Sequence, residues 1–196
     1  MKKLTIIDYG AGNVASVKYA LARMGVEAVL TSDPEILLNA EKVIFPGVGH
    51  AAAAMMALHL KGLDVVIPKL KCPVLGICLG MQLMCNHSAE GDVAGLGIFS
   101  ENVLKFEKGL KVPHMGWNTI FKISEPLFKT ITDHSSVYFV HSYYVPISTH
   151  TVAASYYGTA FSAALQKDNF YAVQFHPEKS GTVGAQILQN FIDLKL

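Results

Sequence analysis

The sequence Gly-Ile-Cys-Leu-Gly at residues 76–80 places one cysteine between two glycines, at the junction of two different periodicities. Residues 73–77 are continuously apolar, as in a buried strand, and residues 80–85 carry Met and Leu at spacings that suit a helix packed on a sheet. A sharp strand-to-helix turn pushes its central side chain into a cleft, and flanking glycines let the backbone crowd together. The pattern predicts a nucleophile elbow, in which the helix N-terminus favours the thiolate of Cys78.

The alternative for Cys78 is a buried structural cysteine, which is the commoner fate of a lone cysteine after an apolar strand. The flanking glycines favour the nucleophile. A core position gains nothing from them, whereas a strained turn requires them.

Length and charge narrow the classes of function. The 196 residues suit one α/β domain spanning residues 1–196, and 16 basic against 15 acidic residues give no nucleic-acid footprint. We therefore expect small-molecule or protein partners. The three cysteines form no CxxC spacing, so the sequence favours neither a disulfide framework nor a metal site.

The N-terminal residues indicate the compartment. Only four residues separate Lys2-Lys3 from Asp8, too few for the apolar core of a signal peptide, and no stretch has the length of a membrane span. We expect a cytoplasmic, reduced protein.

The first half of the chain alternates between strand and helix patterns. Predicted strands cover residues 4–8, 27–30, 42–45 and 73–77, and predicted helices cover 14–24, 34–39, 51–60, 62–69 and 80–85. This alternation is typical of a parallel sheet covered by helices.

Residues 10–15 (GAGNVA) match the dinucleotide-binding fingerprint, and Asp33 lies about where a ribose-binding acid would be sought. Asp33 precedes Pro34 in SDPE, however, which is typical of a helix N-cap. We favour a tight turn and a cap over nucleotide binding.

A second glycine-rich loop, Pro46-Gly47-Val48-Gly49, follows the third predicted strand. Loops at the carboxyl ends of parallel strands line one crevice, so this loop and Cys78 are expected to face the same cleft. Its N–H groups could turn toward an oxyanion, although an ordinary turn explains the glycines equally well.

The second half of the chain contains short β-prone segments that are expected to extend the sheet, some of them antiparallel. They cover residues 98–106, 117–121, 137–145, 152–157, 161–166 and 170–175, the last two joined by a hairpin at 167–169. A final amphipathic helix begins at Ser180 or Gly181.

The last predicted strand runs into Gln-Phe-His-Pro-Glu at 174–178, which supplies a base for the thiol. In extended backbone, residues two apart share a face, so the Glu178 carboxylate can fix the imidazole of His176. Cys78, His176 and Glu178 then form a nucleophile, base and orienting acid. The alternatives are a surface pair or a metal ligand, but the PCxxC of a zinc deaminase is absent.

The strings GICLGMQ, PGVG and QFHPEKSG, in this order, resemble the class I (triad-type) glutamine amidotransferases, and the resemblance covers nearly the whole chain. It implies a single-domain, flavodoxin-like three-layer α/β fold with a mostly parallel central sheet and added antiparallel strands. It also implies that Cys78, His176 and Glu178 hydrolyse glutamine through a thioester. No metal or organic cofactor is implied.

Further site residues follow from the same resemblance. It assigns the oxyanion hole to the N–H groups of Val48 and Leu79, and glutamine binding to Gly47, Gln82, Ser142 and Tyr143.

The strings DYGAGN, PHMGWN and HSYY resemble one branch of the family, the glutaminase subunits of a synthase in histidine biosynthesis. That branch implies a heterodimer with a (β/α)8-barrel cyclase, which uses the ammonia to form imidazole glycerol phosphate and aminoimidazole carboxamide ribonucleotide (AICAR). The positions it places near the interface are Asn13, Trp117, Asn118 and Lys179.

Three other interpretations remain open from sequence. The chain could supply ammonia to a sugar-modifying amidotransferase of polysaccharide synthesis, which its genomic neighbourhood would reveal. It could be a stand-alone peptidase or γ-glutamyl hydrolase, which would be fully active when purified alone. A non-enzymatic scaffold would leave Cys78 unreactive toward a glutamine-like electrophile.

Overall fold

The computed structural model describes residues 4–10, 13–107 and 109–195. In chain order the strands are β1 (Leu4–Ile7), β2 (Ala28–Thr31), β3 (Lys42–Gly47), β4 (Val74–Cys78), β5 (His87–Ser88), β6 (Val93–Ala94), β7 (Asn102–Lys105), β8 (His114–Thr119), β9 (Ser136–His141), β10 (Tyr143–Tyr144), β11 (Thr151–Tyr157), β12 (Thr159–Lys167) and β13 (Phe170–Val173). The α-helices are α1 (Val14–Arg23), α2 (Pro34–Leu38), α3 (Ala51–Leu60), α4 (Leu63–Val66), α5 (Leu79–Leu83) and α6 (Gly181–Asp193), and 3-10 turns cover Ile67–Lys69 and Pro177–Lys179.

The main sheet has seven strands in the order β11-β12-β13-β4-β3-β1-β2. The five strands from β13 to β2 are mutually parallel, and the β11–β12 hairpin adds two antiparallel strands beside β13. The parallel part has the doubly wound, flavodoxin-like strand order, in which ligands bind beyond the carboxyl ends of the strands. The predicted fold class is confirmed.

Helices cover both faces of this sheet because successive residues of its buried strands point in opposite directions. In β3, Ile44 belongs to the core packed against α1 and α6, whereas Val43 and Phe45 belong to the core packed against α3 and α5. The result is a three-layer molecule whose strand ends converge on one rim.

Prediction was most accurate where the pattern is local. Each first-half strand and helix is present, with ends shifted by a few residues, as are the hairpin between β12 and β13 and the start of α6 at Gly181. The dinucleotide fingerprint lies partly outside the described residues, at 11–12. Asp33 is the N-cap of α2 and accepts a 2.8 Å hydrogen bond from the Glu35 N–H, which agrees with the cap interpretation.

The expectation that all the later β-prone segments extend the main sheet was wrong. β7 lies in a four-stranded sheet in the order β10-β7-β5-β6, and β8 and β9 form a separate two-stranded antiparallel sheet. The segment predicted as one strand at 137–145 is broken at Ser142 into β9 and β10, which belong to different sheets. Strand pairing is non-local, so periodicity alone does not identify the partner.

No single helix in the described part of the chain is long and apolar enough to cross a membrane. One pair of helical segments, Ala51–Leu60 and Leu63–Lys69, bent by 89° at the break between them, has the length and composition of a membrane span only when the two are taken together.

The predicted elbow is present between β4 and α5. Cys78 has φ +53° and ψ −109°, a conformation that side-chain-bearing residues rarely adopt. A methyl group at Gly80 would overlap the Phe45 carbonyl oxygen of β3, and one at Gly76 would lie 2.9 Å from the Met84 sulfur. The glycines therefore permit α5 to lie directly against the sheet.

We expect Gly80→Ala to destabilise the fold by about 1–3 kcal/mol or more, because the added methyl displaces α5 from β3. Chemical denaturation measures the free energy of unfolding. Cys78→Ala, which keeps both glycines, is the matched control and should remain close to wild type. Equal stability of the two variants would show that the close packing at Gly80 is unimportant.

Candidate active site

A pocket of about 310 Å³ lies where the carboxyl ends of β3 and β4 meet the ends of β9 and β13. Its volume falls within the range of small-molecule sites. Its lining includes Val48, Gly49, Cys78, Leu79, Gln82, Glu90, Pro113, Val140, His141, Ser142, Tyr143 and His176. Seven of these twelve were singled out from sequence as catalytic, oxyanion-hole or substrate-binding residues.

His176 is held by its backbone as well as its ring. Its N–H donates to the Tyr138 carbonyl at 2.9 Å, and its own carbonyl accepts from the Ser180 hydroxyl at 2.6 Å. The same hydroxyl accepts from the Tyr138 N–H at 3.0 Å. Strand β9 is thereby fastened to the segment that carries the imidazole.

The predicted contact between His176 and Glu178 is present, but the reason given for it was wrong. Nδ1 lies 2.8 Å from Glu178 Oε1, and both side chains are almost completely buried. The backbone at residues 177–179 is a 3-10 turn and not an extended strand. Pro177 suits the first position of such a turn, because its fixed φ is helical.

The electrostatics of His176 depend on its neighbours. Burial by itself lowers the pKa of this imidazole, but the nearby Cys78 side chain and the Glu178 carboxylate act against burial and raise it to about 10. With Nδ1 engaged by Glu178, the buried Nε2 has no protein atom in good hydrogen-bonding geometry. Nε2 is therefore the nitrogen available to exchange a proton in the pocket.

The thiol of Cys78 lies near polar groups from β9 and from the segment that follows β13. Sγ is 3.8 Å from the Val140 carbonyl oxygen and 3.8 Å from Nε2 of the buried Gln174. Gln82 on α5 donates from its Nε2 to Gln174 Oε1 at 2.9 Å and to the Tyr143 carbonyl at 3.0 Å. These bonds fix the pocket wall around the sulfur.

The residues assigned to the oxyanion hole, Val48 and Leu79, both line the pocket. Gly47, assigned to substrate binding, is absent from the lining and instead lies under the elbow, where a methyl group would approach Gly80 N to 2.5 Å. Gly49 has φ +104°, so this loop uses a backbone conformation that favours glycine.

The four positions assigned to a partner interface lie outside the pocket lining. Asn13 caps α1 by accepting from the Ser16 N–H at 3.4 Å, and Lys179 is exposed on the 3-10 turn. Trp117 on β8 is 59% exposed and packs edge-on against Tyr138. Asn118, on the same strand, donates to the Tyr156 carbonyl at 2.9 Å.

Sequence reasoning missed several residues of the pocket. Gln174 could have been found, because it stands two positions before His176 and alternation places both on one face. His141 belongs to the HSYY string whose next two residues were chosen. Glu90 and Val140 had no local signal, since β9 and the β5–β6 turn reach the site only through tertiary pairing.

Among the described residues, no group of three or more His, Cys, Asp or Glu side chains could hold a metal ion. The three cysteines are free and buried.

Comparison with known sequences adds independent evidence. The family model "Glutamine amidotransferase class-I" matches residues 5–194. The chain belongs to the class I glutamine amidotransferase family. The family, fold and enzyme class predicted from the motifs are therefore confirmed.

Relatives within the family are similar over their full length. The chain is 57% identical to "Imidazole glycerol phosphate synthase subunit HisH" of Bacteroides thetaiotaomicron, covering 98% of this chain and 100% of that protein. It is 49% identical, with the same coverage, to the protein of that name from Pectobacterium atrosepticum.

Solved structures agree in fold. A putative GMP synthase protein from Thermoplasma acidophilum superimposes with a TM-score of 0.76 at 22% identity, over 98% of this chain and 92% of that one. PurLQS from Thermotoga maritima gives a TM-score of 0.75 at 18% identity, and the superposition covers 98% of this chain and 99% of that one. At these identities the likeness concerns the fold alone.

We expect Glu178→Gln to lower the pKa of His176, because it removes the buried carboxylate that stabilises the imidazolium. The folded-state pKa of about 10 lies above the ordinary value of 6.5. Protonated His176 thus contributes stability that is complete below pH 6.5 and is lost as the pH rises through about 10.

The loss of unfolding free energy in Glu178→Gln should accordingly be largest at or below pH 6.5 and shrink toward pH 10. Denaturation across this range, with ring NMR of His176, measures both quantities. Glu41→Gln, at an exposed glutamate, is the control. A loss that does not vary with pH would contradict this assignment.

Proposed function

We propose that this chain is the glutaminase subunit of imidazole glycerol phosphate synthase, which hydrolyses glutamine and passes the ammonia to a cyclase in histidine biosynthesis. The observation that carries the proposal is the joint placement of Cys78 and His176 on one pocket, with Glu178 bonded to the imidazole. The full-length similarity to subunits of that name supports the pathway.

In the first half-reaction, the Cys78 sulfur, whose proton is already held on His176 Nε2, attacks the side-chain amide carbon of glutamine as a thiolate. The carbonyl π bond opens to give a tetrahedral oxyanion. When it collapses, the C–N bond breaks and His176 returns the proton to the leaving nitrogen, which departs as ammonia. A γ-glutamyl thioester remains on Cys78.

In the second half-reaction, water attacks the thioester carbon while His176 Nε2 accepts its proton. The C–S bond then breaks, glutamate leaves and the thiolate is restored. Glu178 holds the imidazole in orientation through both steps and stabilises its protonated form. No metal or organic cofactor takes part in this scheme.

The oxyanion is assigned to the N–H groups of Leu79 and Val48, at the two loops that meet across the pocket. Each such donor contributes on the order of 10² to 10³ in turnover. Because Val48 lies in a glycine-containing loop whereas Leu79 begins α5, the direction of the Val48 N–H depends on loop conformation more than that of Leu79.

Substrate recognition is assigned to the opposite wall, formed by Gln82, Ser142 and Tyr143, with Gly47 supporting it from below. Glu90 adds a half-buried carboxylate, whose Oε2 accepts from the Ala51 N–H at 2.8 Å. A carboxylate in the pocket favours a substrate that carries a positive group, such as the α-ammonium of free glutamine. This preference argues against a peptidase.

The partner is proposed to be a (β/α)8-barrel cyclase bound as a heterodimer, which forms imidazole glycerol phosphate and AICAR. The exposed face of β8 supports an interface, because Met115 and Trp117 are 62% and 59% exposed and share one side of the strand. Asn13, Asn118 and Lys179 are assigned to the same interface. A cytoplasmic location is part of the same proposal.

We expect Cys78→Ala to lower glutamine-dependent synthesis by roughly 10⁴-fold or more, since no other group can form the thioester. Synthesis supplied with ammonium salt should be unchanged, because the cyclase does not use the thiol. The assay combines this chain with the cyclase and compares both nitrogen sources. Glutamine turnover within about tenfold of wild type would exclude Cys78 as nucleophile.

We expect Trp117→Ala to weaken cyclase binding by about 2 kcal/mol, or roughly 30-fold in Kd, as for a large aromatic anchor in an interface. Titration calorimetry measures the Kd. Leu60→Ala is the matched control, because Leu60 is 79% exposed on α3, in the helical layer away from β8. Equal effects of the two substitutions would place the interface elsewhere.

A further inference from the structure

Two buried histidines outside the proposed triad lie opposite each other on β8 and β9 and are joined by a chain of hydrogen bonds. His114 Nδ1 lies 2.9 Å from His141 Nε2, and His141 Nδ1 lies 2.8 Å from the Tyr143 carbonyl oxygen. At the other end, Asn118 Nδ2 lies 3.2 Å from His114 Nε2. The proposed mechanism uses neither ring.

The direction of this chain is fixed at both ends by the backbone. The Tyr143 carbonyl can only accept, so Nδ1 of His141 carries a proton. At the far end, Asn118 Oδ1 accepts from the Thr119 N–H at 2.8 Å and its amide group donates to the Tyr156 carbonyl. The amide of Asn118 is thereby oriented with its N–H groups toward His114.

With both ends fixed, only one arrangement of protons gives every contact a single hydrogen when both rings are neutral. Asn118 donates to His114 Nε2, His114 Nδ1 donates to His141 Nε2, and His141 Nδ1 donates to the Tyr143 carbonyl. Both rings then carry their proton on Nδ1.

The surroundings keep the rings neutral. His114 stacks on Tyr157 with ring centroids 4.1 Å apart, and Phe106 lies edge-on to both histidines. Burial lowers the pKa of His114 to about 4 and, as the largest of several causes, that of His141 to about 3. At neutral pH neither ring carries a charge.

The chain ends on a wall of the pocket. The Tyr143 carbonyl accepts from His141 and also from Gln82, whose amide group bonds Gln174 beside Cys78. Ser142, between His141 and Tyr143, lines the same pocket. The position of this wall therefore depends on the His141 bond as well as on α5.

We propose that His114 and His141 are positioning residues, whose one-directional hydrogen-bond chain holds the Ser142–Tyr143 wall in place for glutamine binding and ties it to Asn118 beside the exposed Trp117. The proposal rests on the assignment of the pocket to glutamine. The existence and direction of the hydrogen-bond chain can be tested without assigning the pocket to glutamine.

The first test is NMR of protein labelled with ¹⁵N-histidine at neutral pH. Long-range ¹H–¹⁵N correlations should show both rings neutral with the proton on Nδ1, each assigned by its loss in His114→Asn or His141→Asn. An imidazolium at either position, or a proton on Nε2 of either neutral ring, would contradict the proposed hydrogen-bond chain, whichever reaction the protein catalyses. Loss of activity in Cys78→Ala tests the function separately.

The second test compares two substitutions of His141 that remove similar ring volume and the same aromatic contacts. His141→Asn places an amide N–H near the Nδ1 position and keeps the donor to the Tyr143 carbonyl. The longer side chain of His141→Gln places its amide near the Nε2 position instead, so the Tyr143 carbonyl loses the hydrogen-bond donor that His141 Nδ1 provided. We expect His141→Gln to raise KM for glutamine roughly tenfold, as for one lost buried hydrogen bond, with little change in kcat.

His141→Asn should keep KM near wild type, and alkylation of Cys78 by iodoacetamide should proceed at similar rates in both variants. Equal KM values in the two variants, or a loss confined to kcat, would overturn the positioning role. Thermal melting of the two His141 variants checks that both are folded. If either variant fails to fold, the NMR result on the wild-type protein still tests the hydrogen-bond chain.

Discussion

The close contact between α5 and the end of β3 is the constraint on which the rest of the site depends. Gly80 meets the Phe45 carbonyl with no room for a side chain, and the turn at Cys78, two residues earlier, has a positive φ. A strained residue persists only when its surroundings over-determine it. Here two buried strands and a helix do so, and the sulfur is the group left facing the pocket.

Strand β9 contacts the other groups of the site and so completes the pocket around the Cys78 sulfur. Over four residues, its Tyr138 backbone bonds the His176 N–H and the Ser180 hydroxyl, its Val140 carbonyl approaches Cys78, and it ends at His141 on the pocket wall. Its antiparallel partner β8 carries Trp117 opposite Tyr138. The two-stranded β8–β9 ribbon therefore carries the proposed cyclase face and also contacts the segments that hold the proposed catalytic groups.

The elements predicted correctly from sequence are those encoded by neighbouring residues. The glycines around Cys78, the cap at Asp33 and the spacing of His176 and Glu178 each specify a local geometry. Even so, the Glu178 contact was derived from a backbone extended throughout, whereas only His176 is extended and residues 177–179 form a 3-10 turn. The break at Ser142 and the reach of Glu90 into the pocket depend on which strands pair, and short polar strands do not specify this by periodicity.

The two buried histidines that line the pocket have pKa values shifted in opposite directions, because burial is outweighed by the partners of one ring and not by those of the other. His176 and His141 are 1% and 5% exposed, yet the pKa of the first is raised and that of the second is lowered. Burial lowers the pKa of both rings, but at His176 the Cys78 side chain and the Glu178 carboxylate outweigh it, whereas at His141 the Tyr143 carbonyl does not. If both rings were charged they would repel each other, so the neutral state of His141 favours the protonated state of His176. A carboxylate placed beside His141 would remove that distinction, and the neutral chain from Asn118 to Tyr143 keeps the two histidines in separate roles.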